Sequence, residues 1–318
     1  MKTKGLAWTA IGVALVALAW LQVPSIGAQQ PWCPSKYGPA DVLGAINEIT
    51  PEKVMQAVKL VKTGKVYDMG VLLERGVPGV RGRYWTQLIV RGVPFGVRGK
   101  NKLVSIEEVV SGTYQIGTQL DGLGHIAVDN LFYNCLKGEE IVFDWGVSKI
   151  GIENVPPVVT RGVLVDIAGH KGVPMLDGGY VITVEDVEAA LKKQGDLKIE
   201  AGDVVIFHTG WLSLWMKDNQ KFGDSEPGIG KAVAKWLIDR RVAMVGADNW
   251  GLEVGPTEDK EEAGPVHQML IPQNGIHILE NLVTEALAKD NAYEFMFVLT
   301  KSKTKGSTGA NIAPAAVR

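Results

Sequence analysis

The segment "QIGTQLDGLGH", residues 115–125, contains side chains that can ligate a metal ion. Gln115, Gln119 and Asp121 are spaced i, i+4 and i+6, so they would share one face of a strand. His125 follows after two more glycines. Three oxygen donors beside an imidazole suit a divalent cation with an acid or base next to it. Glutamine and aspartate near glycine more often form hydrogen-bonded turns, so the spacing alone leaves both interpretations open.

Two further candidate ligands, His267 and Glu280, lie near the end of the chain. Each also has a structural interpretation. A single histidine is often a satisfied structural group. Glu280 lies in "HILENLVTEALAKD", which is predicted to be a helix, and a carboxylate near a helix start is favoured by the helix dipole.

The other histidines belong to no recognised catalytic motif. His170 and His208 each end a predicted strand and are interpreted as structural or rim residues. His277 lies in the alternating, strand-like run "GIHIL" and is expected to face solvent. The chain has no HExxH, GxSxG or P-loop pattern and no nicotinamide fingerprint. Any chemistry must therefore come from scattered side chains that the fold brings together.

The elements that would position these side chains alternate along the chain. Strands such as "DVVIFHTGW" and "VAMVGADNW" are separated by helices such as "TVEDVEAALKKQG" and "GKAVAKWLIDRR". This order predicts an α/β domain in which helices flank a mixed β-sheet. Thr50 and Pro51 are typical of a helix start, and Thr183 with Asp186 resembles a capping box.

Two similar loops flank the strand candidate "RYWTQLIV": "RGVPGVRG" at residues 75–82 and "RGVPFGVRG" at residues 91–99. They are either solvated turns or a basic lip that attracts an anionic small molecule. Trp85, Trp250 and Phe95 are candidates for the aromatic wall of a substrate site, although each could equally be a core or interface aromatic.

The first 28 residues are predicted to be a secretory signal peptide. Lys2 and Lys4 precede an apolar run, and the small residues Gly27 and Ala28 follow it as a cleavage site would. An uncleaved membrane anchor is the alternative. Residues 29–318 then form one domain, periplasmic or secreted, with no stable membrane span after cleavage.

Charge and cysteine content narrow the possible partners. The formal net charge of −2 argues against a nucleic-acid partner. Cys33 and Cys135 could form a disulfide in an exported protein, but neither lies in a zinc-type spacing.

Six pieces of the chain together resemble the metal-dependent cyclase family, which includes bacterial kynurenine formamidases and isatin hydrolases. They are "YGPADVLGAINEITPEKV", "GTQLDGLGH", "RGVLVDIAG", "GDVVIFHTGW", "VGADNWGLEV" and "VHQMLIPQNGIHILENL", and they occur in the family's order. The likeness extends roughly from Trp32 to Ala315. It implies a single domain with a swivelling β/β/α-like fold.

The resemblance also implies roles for individual residues. Asp121, His267 and Glu280 match metal-ligand positions, and His125 matches the catalytic acid/base. Gln115 and Gln119 stand where the family motif has two metal-binding histidines. An amide oxygen is a neutral, hard donor and a weak zinc ligand, so these substitutions favour manganese, magnesium or calcium, or leave part of a two-metal site empty.

The function implied is a metal-dependent amidohydrolase of a small aromatic or cyclic amide or formamide, similar to the arylformamidases of tryptophan–kynurenine catabolism. Its cofactor would be a divalent ion: manganese, zinc or magnesium. One alternative is a non-catalytic periplasmic binding protein in which Arg75, Arg83 or Arg98 contacts a carboxylate. Another is a lactonase or dehydratase. The family resemblance further implies a homodimer or homotetramer that takes a small-molecule substrate.

Overall fold

The computed structural model describes residues 30–90 and 96–318 of the chain. The predicted signal peptide, residues 1–28, and Phe95 lie outside the described residues, so both stay predictions. Among the described residues, no helix is both long and apolar enough to cross a membrane.

The described strands are β1 (Val66–Asp68), β2 (Trp85–Val90), β3 (Glu107–Gly112), β4 (Gln119–Asp121), β5 (Val142–Phe143), β6 (Gly146–Val147), β7 (Val158–Asp166), β8 (Val181–Ile182), β9 (Val204–His208), β10 (Gly228–Ile229), β11 (Met244–Ala247), β12 (His277–Glu280), β13 (Glu294–Leu299), β14 (Gly309–Asn311) and β15 (Ala315–Val317). The α-helices are α1 (Pro51–Val58), α2 (Gly138–Ile141), α3 (Ile167–Lys171), α4 (Val184–Lys193), α5 (Asn219–Asp224), α6 (Lys231–Asp239), α7 (Pro265–Asn274) and α8 (Glu285–Lys289).

One nine-stranded mixed sheet organises the domain, in the order β1-β15-β13-β7-β9-β11-β12-β4-β14. The central strands β7, β9, β11 and β12 run parallel. The strands on either side of this group pair antiparallel. The predicted α/β fold, a mixed sheet with flanking helices, is confirmed.

The sheet separates two apolar cores. Val205 and Phe207 of β9 pack with side chains of α4, α6 and α7, on what we call the α6 face. Val204 and Ile206 pack with Leu287 of α8, on the α8 face. Because side chains alternate along a strand, the parity of a residue tells on which face it lies.

Both predicted helix starts are confirmed. The Thr50 side chain accepts a hydrogen bond from the backbone N–H of Lys53, and Pro51 is the first residue of α1. Thr183 and Asp186 form a complete capping box at the start of α4. These caps satisfy backbone donors that have no partner within the helix.

The prediction of one helix over "HILENLVTEALAKD" is wrong. Its first four residues form β12, which is buried and pairs parallel with β11, and only Glu285–Lys289 is helical. Gly275 ends α7 in the left-handed conformation, which lets the chain turn back into the sheet. Burial between β11 and β4 therefore overrides the helical spacing of these residues.

Cys33 and Cys135 form a disulfide, with their Cα atoms 5.8 Å apart. The sequence left this pairing open. The bond joins residues that are 102 positions apart. In the chain-entropy model, a cross-link over a loop of that length raises the free energy of the unfolded chain by roughly 4–5 kcal/mol.

The expectation that His277 faces solvent is also wrong. Its side chain is fully buried, and neither ring nitrogen has a hydrogen-bond partner among the described residues. Burial, with a smaller contribution from the positive charge of Lys301, lowers the pKa of His277 to about 3. The folded protein therefore holds this imidazole neutral.

We predict that His277 makes the protein less stable in mild acid. Between pH 6.5 and 3 the unfolded chain binds a proton at His277 that the folded chain does not, so the free energy of unfolding falls as the pH falls, by up to about 1.4 kcal/mol per pH unit. His277→Leu removes this contribution, and urea unfolding at pH 6.0 and 5.0 measures the change. The control Ile278→Val should lower stability equally at both pH values. If the free energy of unfolding depends on pH equally in His277→Leu and in the wild type, His277 is not the source of the acid sensitivity.

Candidate metal centre

Three polar side chains lie together where β12 ends beside β4. Glu280 pairs with Gln119 across these antiparallel strands, and Asp121 lies two residues further along β4. Leu120 and Leu279 belong to the α8-face core. Their polar neighbours Gln119, Asp121 and Glu280 therefore lie on the α6 face, and each is no more than 2% exposed.

His267 reaches this group from α7, which packs on the same face. Its Nε2 lies 3.3 Å from Glu280 Oε1 and 4.0 Å from Asp121 Oδ2. One ligand atom from each of Asp121, His267 and Glu280 lies within 4.8 Å of the others. The structure thus brings together the three residues that the family resemblance implies as metal ligands.

The polar atoms of this group are only partly satisfied by the protein. Asp121 Oδ1 and Gln119 Oε1 are buried without a hydrogen-bond partner among the described residues. Burial, together with the charge of Asp121, raises the pKa of Glu280 to about 7. Unpartnered buried oxygens and two adjacent carboxylates are costly in a protein interior. A divalent cation would bind the unpartnered oxygens and offset the negative charge of the two carboxylates. The donor set therefore fits a divalent cation.

The two glutamines occupy different places. Gln119 donates from Nε2 to Glu280 Oε2, which leaves its carbonyl oxygen as the unpartnered atom beside the carboxylates. Gln115 Nε2 instead lies 3.4 Å from His125 Nδ1 and 3.4 Å from Thr308 Oγ1. Gln119 is therefore placed to add a neutral oxygen ligand, whereas Gln115 contacts the predicted acid/base.

His125 lies at the edge of the cluster. Its Nε2 is 3.7 Å from Asp121 Oδ2. Gln115 Nε2 approaches the other ring nitrogen, Nδ1, so Asp121 and Gln115 contact the ring from its two nitrogens. Burial lowers the pKa of His125 despite the opposing effect of Asp121, so the ring is neutral at pH 7. A neutral imidazole can accept a proton and, once protonated, deliver it, which is what the predicted acid/base role requires.

Glu253 holds His267 in place, a role that the sequence analysis missed. Its Oε1 is hydrogen-bonded to His267 Nδ1, and its carboxylate also accepts from the backbone N–H groups of Val266 and His267. These contacts turn His267 Nε2 toward Asp121 and Glu280. Glu253 lies within the quoted piece "VGADNWGLEV", but no local spacing marks it as a partner of a histidine 14 residues later.

Glu226 is a second missed residue. It is fully buried and accepts hydrogen bonds from the backbone N–H groups of Trp250 and Gly251, at 2.9 and 3.0 Å. Burial and the charge of Glu280 raise its pKa well above the usual value. Glu226 therefore adds a buried carboxyl group with a raised pKa to the cavity lining, and nothing in its sequence neighbourhood indicates this.

A cavity of about 550 Å³ opens above the cluster and is lined by His125, His267 and Glu280. Trp250 also lines it, and the Arg81 guanidinium lies 5.4 Å from the Trp250 ring centre. Contact of Trp250 with a substrate stays a prediction. Trp85 does not line this cavity. It lies on β2, which pairs with β3 in a separate two-stranded hairpin.

Comparison with known proteins identifies the family. A family model described as "Putative cyclase" matches residues 45–254. The crystal structure of a novel cyclase is 32% identical, covers 90% of this chain and 99% of its own, and superposes with a TM-score of 0.81. The chain belongs to this cyclase family.

More distant cyclase-like structures share the fold. Isatin hydrolase A from Ralstonia solanacearum is 17% identical over 85% of this chain and 98% of its own, with a TM-score of 0.58. A predicted metal-dependent hydrolase from Bacillus stearothermophilus is 19% identical over 80% and 98%, with a TM-score of 0.51. No curated protein matches the chain significantly.

We predict that Asp121→Asn in this cyclase-family protein abolishes stoichiometric metal binding. The substitution removes the negative charge whose Oδ1 lacks a protein partner. Elemental analysis by mass spectrometry, after dialysis without chelator, gives the metal content. Asp129→Asn, at an exposed position eight residues later, is the matched control and should bind as the wild type does. A full equivalent of metal in Asp121→Asn would refute the ligand assignment.

We also predict that Glu253→Gln weakens metal binding 10- to 100-fold without abolishing it, because carboxylate partners orient ligating histidines and raise their basicity. Competition with a fluorescent chelator measures the dissociation constant. Glu258→Gln, an exposed residue whose carboxylate accepts from the backbone N–H of Lys231 at the start of α6, serves as the control. Unchanged affinity in Glu253→Gln would show that His267 is not a ligand or does not need this orientation.

Proposed function

We propose that this protein is a metal-dependent hydrolase of a small aromatic or cyclic amide or formamide. The observation that carries the proposal is the cluster of Asp121, His267 and Glu280 at the base of a cavity, with neutral His125 beside it. Such an arrangement pairs a cation site with an acid/base at one reacting centre. Relatives in fold that are named isatin hydrolase and metal-dependent hydrolase support this choice.

Asp121, His267 and Glu280 would hold the ion, and Gln119 Oε1 is available as a further donor. When bound, a divalent cation such as manganese, zinc or magnesium would polarise the scissile carbonyl and lower the pKa of a water molecule. Glu253 fixes the ring of His267 for this purpose. The mixed nitrogen and carboxylate donor set suits borderline and hard cations.

His125 would move the proton. Its neutral ring would accept a proton from the attacking water and then, as the imidazolium, give that proton to the leaving nitrogen of the amide and return to the neutral form. Asp121 Oδ2 lies 3.7 Å from His125 Nε2, where it would favour the transient imidazolium. Gln115 contacts the other ring nitrogen, Nδ1, and thus helps to orient the ring. Proton transfer by a positioned group of this kind is worth roughly 10²–10⁴-fold in rate.

The cavity walls support an aromatic substrate that carries a negative group. Trp250 and Phe132 supply ring faces, and Arg81 and Arg83 supply positive charge. A volume of about 550 Å³ is in the range of pockets that hold small organic ligands. We therefore place arylformamides and cyclic amides first among the candidate substrates.

A non-catalytic binding protein is the second candidate. It is favoured by Gln115 and Gln119, whose amides replace two imidazoles and make hydrogen bonds to His125 and Glu280. It is opposed by the neutral His125 next to the ligand cluster, since binding alone does not need an acid/base there. A lactonase or dehydratase on the same site would use the same groups and is separated by substrate screening.

The predicted oligomer and location are proposals of the same kind. The β2–β3 hairpin is exposed along β3 and exposes apolar side chains such as Leu88, Val109 and Val110. A lone two-stranded hairpin is marginally stable in water, so a second copy of the chain is a suitable cover. The Cys33–Cys135 disulfide suits a periplasmic or secreted protein.

We predict that His125→Ala keeps its metal content and loses 10²- to 10⁴-fold in kcat, because only the proton-transfer group is removed. The experiment screens arylformamides and cyclic amides, then compares kcat and metal content of wild type and variant. His170→Ala, a half-buried histidine on α3, is the control and should retain full turnover. Equal kcat in His125→Ala and the wild type would exclude His125 as the acid/base.

A further inference from the structure

A second cavity of about 520 Å³ lies on the α8 face, away from the metal centre. Its floor contains His208 at the end of β9, Asp248 directly after β11, and Thr284. His208 alternates with Phe207 of the α6-face core, so its side chain lies on the opposite face from Glu280. None of the residues that line this cavity lines the cavity above the metal centre.

Asp248 is a fully buried carboxylate whose oxygens are well satisfied. It accepts from the backbone N–H groups of Thr209 and Gly210 at 2.9 and 2.8 Å, from the Thr209 hydroxyl, and from the Thr284 hydroxyl at 3.3 Å. Burial alone would raise the pKa of Asp248, but His208 and these donors hold it below its usual value. Asp248 is therefore a fixed negative charge in the cavity floor.

This charge fixes His208. The Nδ1 atom of the ring lies 3.1 Å from Asp248 Oδ2 and 2.7 Å from Thr284 Oγ1, so Nδ1 makes both contacts. The other ring nitrogen, Nε2, is left for the cavity that His208 lines. Burial opposes the charged ring, but the hydrogen bond and charge of Asp248 outweigh it and raise the pKa of His208.

The other charged groups near His208 leave it as the main positive group at the floor. Asp166 and Glu285 add further negative potential at the ring. Glu74, Lys217 and Glu285 lie at the exposed rim, where solvent screens them. The rim carries two acidic groups, Glu74 and Glu285, and one basic group, Lys217. This excess of negative charge disfavours a ligand with several negative charges.

The walls between rim and floor are apolar, with Leu212 and Trp215 among the lining side chains, and the exposed Leu72 lies at the rim. We propose that this cavity is a second ligand site, which binds a small monocarboxylic acid with an apolar body. Its carboxylate accepts a hydrogen bond from His208 Nε2, and its apolar part packs against Leu72, Leu212 and Trp215. A hydrogen bond between two charged groups is roughly twice as strong as a neutral one, which gives the acid its advantage over an uncharged analogue.

Calorimetric titration with 3-phenylpropionate and the neutral 3-phenylpropionamide tests the proposal on the complete mature protein at pH 6. We expect the acid to bind at least tenfold more tightly than the amide. His208→Gln should weaken binding of the acid at least tenfold and leave binding of the amide within about twofold. Raising the pH should weaken binding of the acid but not of the amide, because His208 loses its proton.

Two further variants separate this site from the metal centre and guard against misfolding. Asp121→Asn should leave acid binding unchanged, whatever it does to hydrolysis. Leu72→Asp, at an exposed rim position that tolerates a polar residue, should weaken acid binding through added negative charge. The proposal is overturned if neither probe binds at millimolar concentration, if acid and amide bind equally, or if Asp121→Asn rather than His208→Gln removes binding.

Discussion

The repulsion between two buried carboxylates, Asp121 and Glu280, is the constraint on which the metal centre depends. β12 and β4 hold both side chains on one sheet face with almost no access to water. Charges of the same sign in a low-dielectric interior are tolerated only when a counter-charge is close. His267 is the protein's own counter-charge, and Glu253 and Gln119 orient the participants by hydrogen bonds to His267 and Glu280.

The same arrangement links proton binding to metal binding. Burial disfavours a charged His267, but hydrogen bonds to Glu253 and Glu280 raise its pKa to about 10. A proton on His267 thus neutralises the cluster in the metal-free protein. Metal ligands must be deprotonated, so an ion entering the cluster takes over the role of that proton.

The parallel strands distribute polar groups between the two faces of the sheet. Glu280 ends β12 on the α6 face, whereas His208 ends β9 on the α8 face. Both lie at carboxyl ends of parallel strands, the edge at which open α/β sheets bind ligands. One sheet can therefore support two chemically different sites, one built around paired carboxylates and one around an imidazole over a fixed carboxylate.

The sequence by itself determined the elements whose signals are local. Thr50, Pro51 and the Thr183–Asp186 capping box mark helix starts through contacts within one turn, and buried-type apolar runs mark the central strands. The spacing of Gln119 and Asp121 correctly indicated one shared face, because side-chain alternation depends only on the strand itself. Gln115 was expected on the same strand face, but it precedes β4 and contacts His125.

Only the tertiary structure decided which polar groups meet. Glu253 and Glu226 lack a local pattern because their partners come from other elements, and Trp85 and Trp250 look alike in sequence although only Trp250 lines the metal-centre cavity. The segment from His277 became a strand, with His277 buried, because its place between β11 and β4 is set by pairing with distant residues. Long-range pairing determines burial, and burial determines both the conformation and the charge of these side chains.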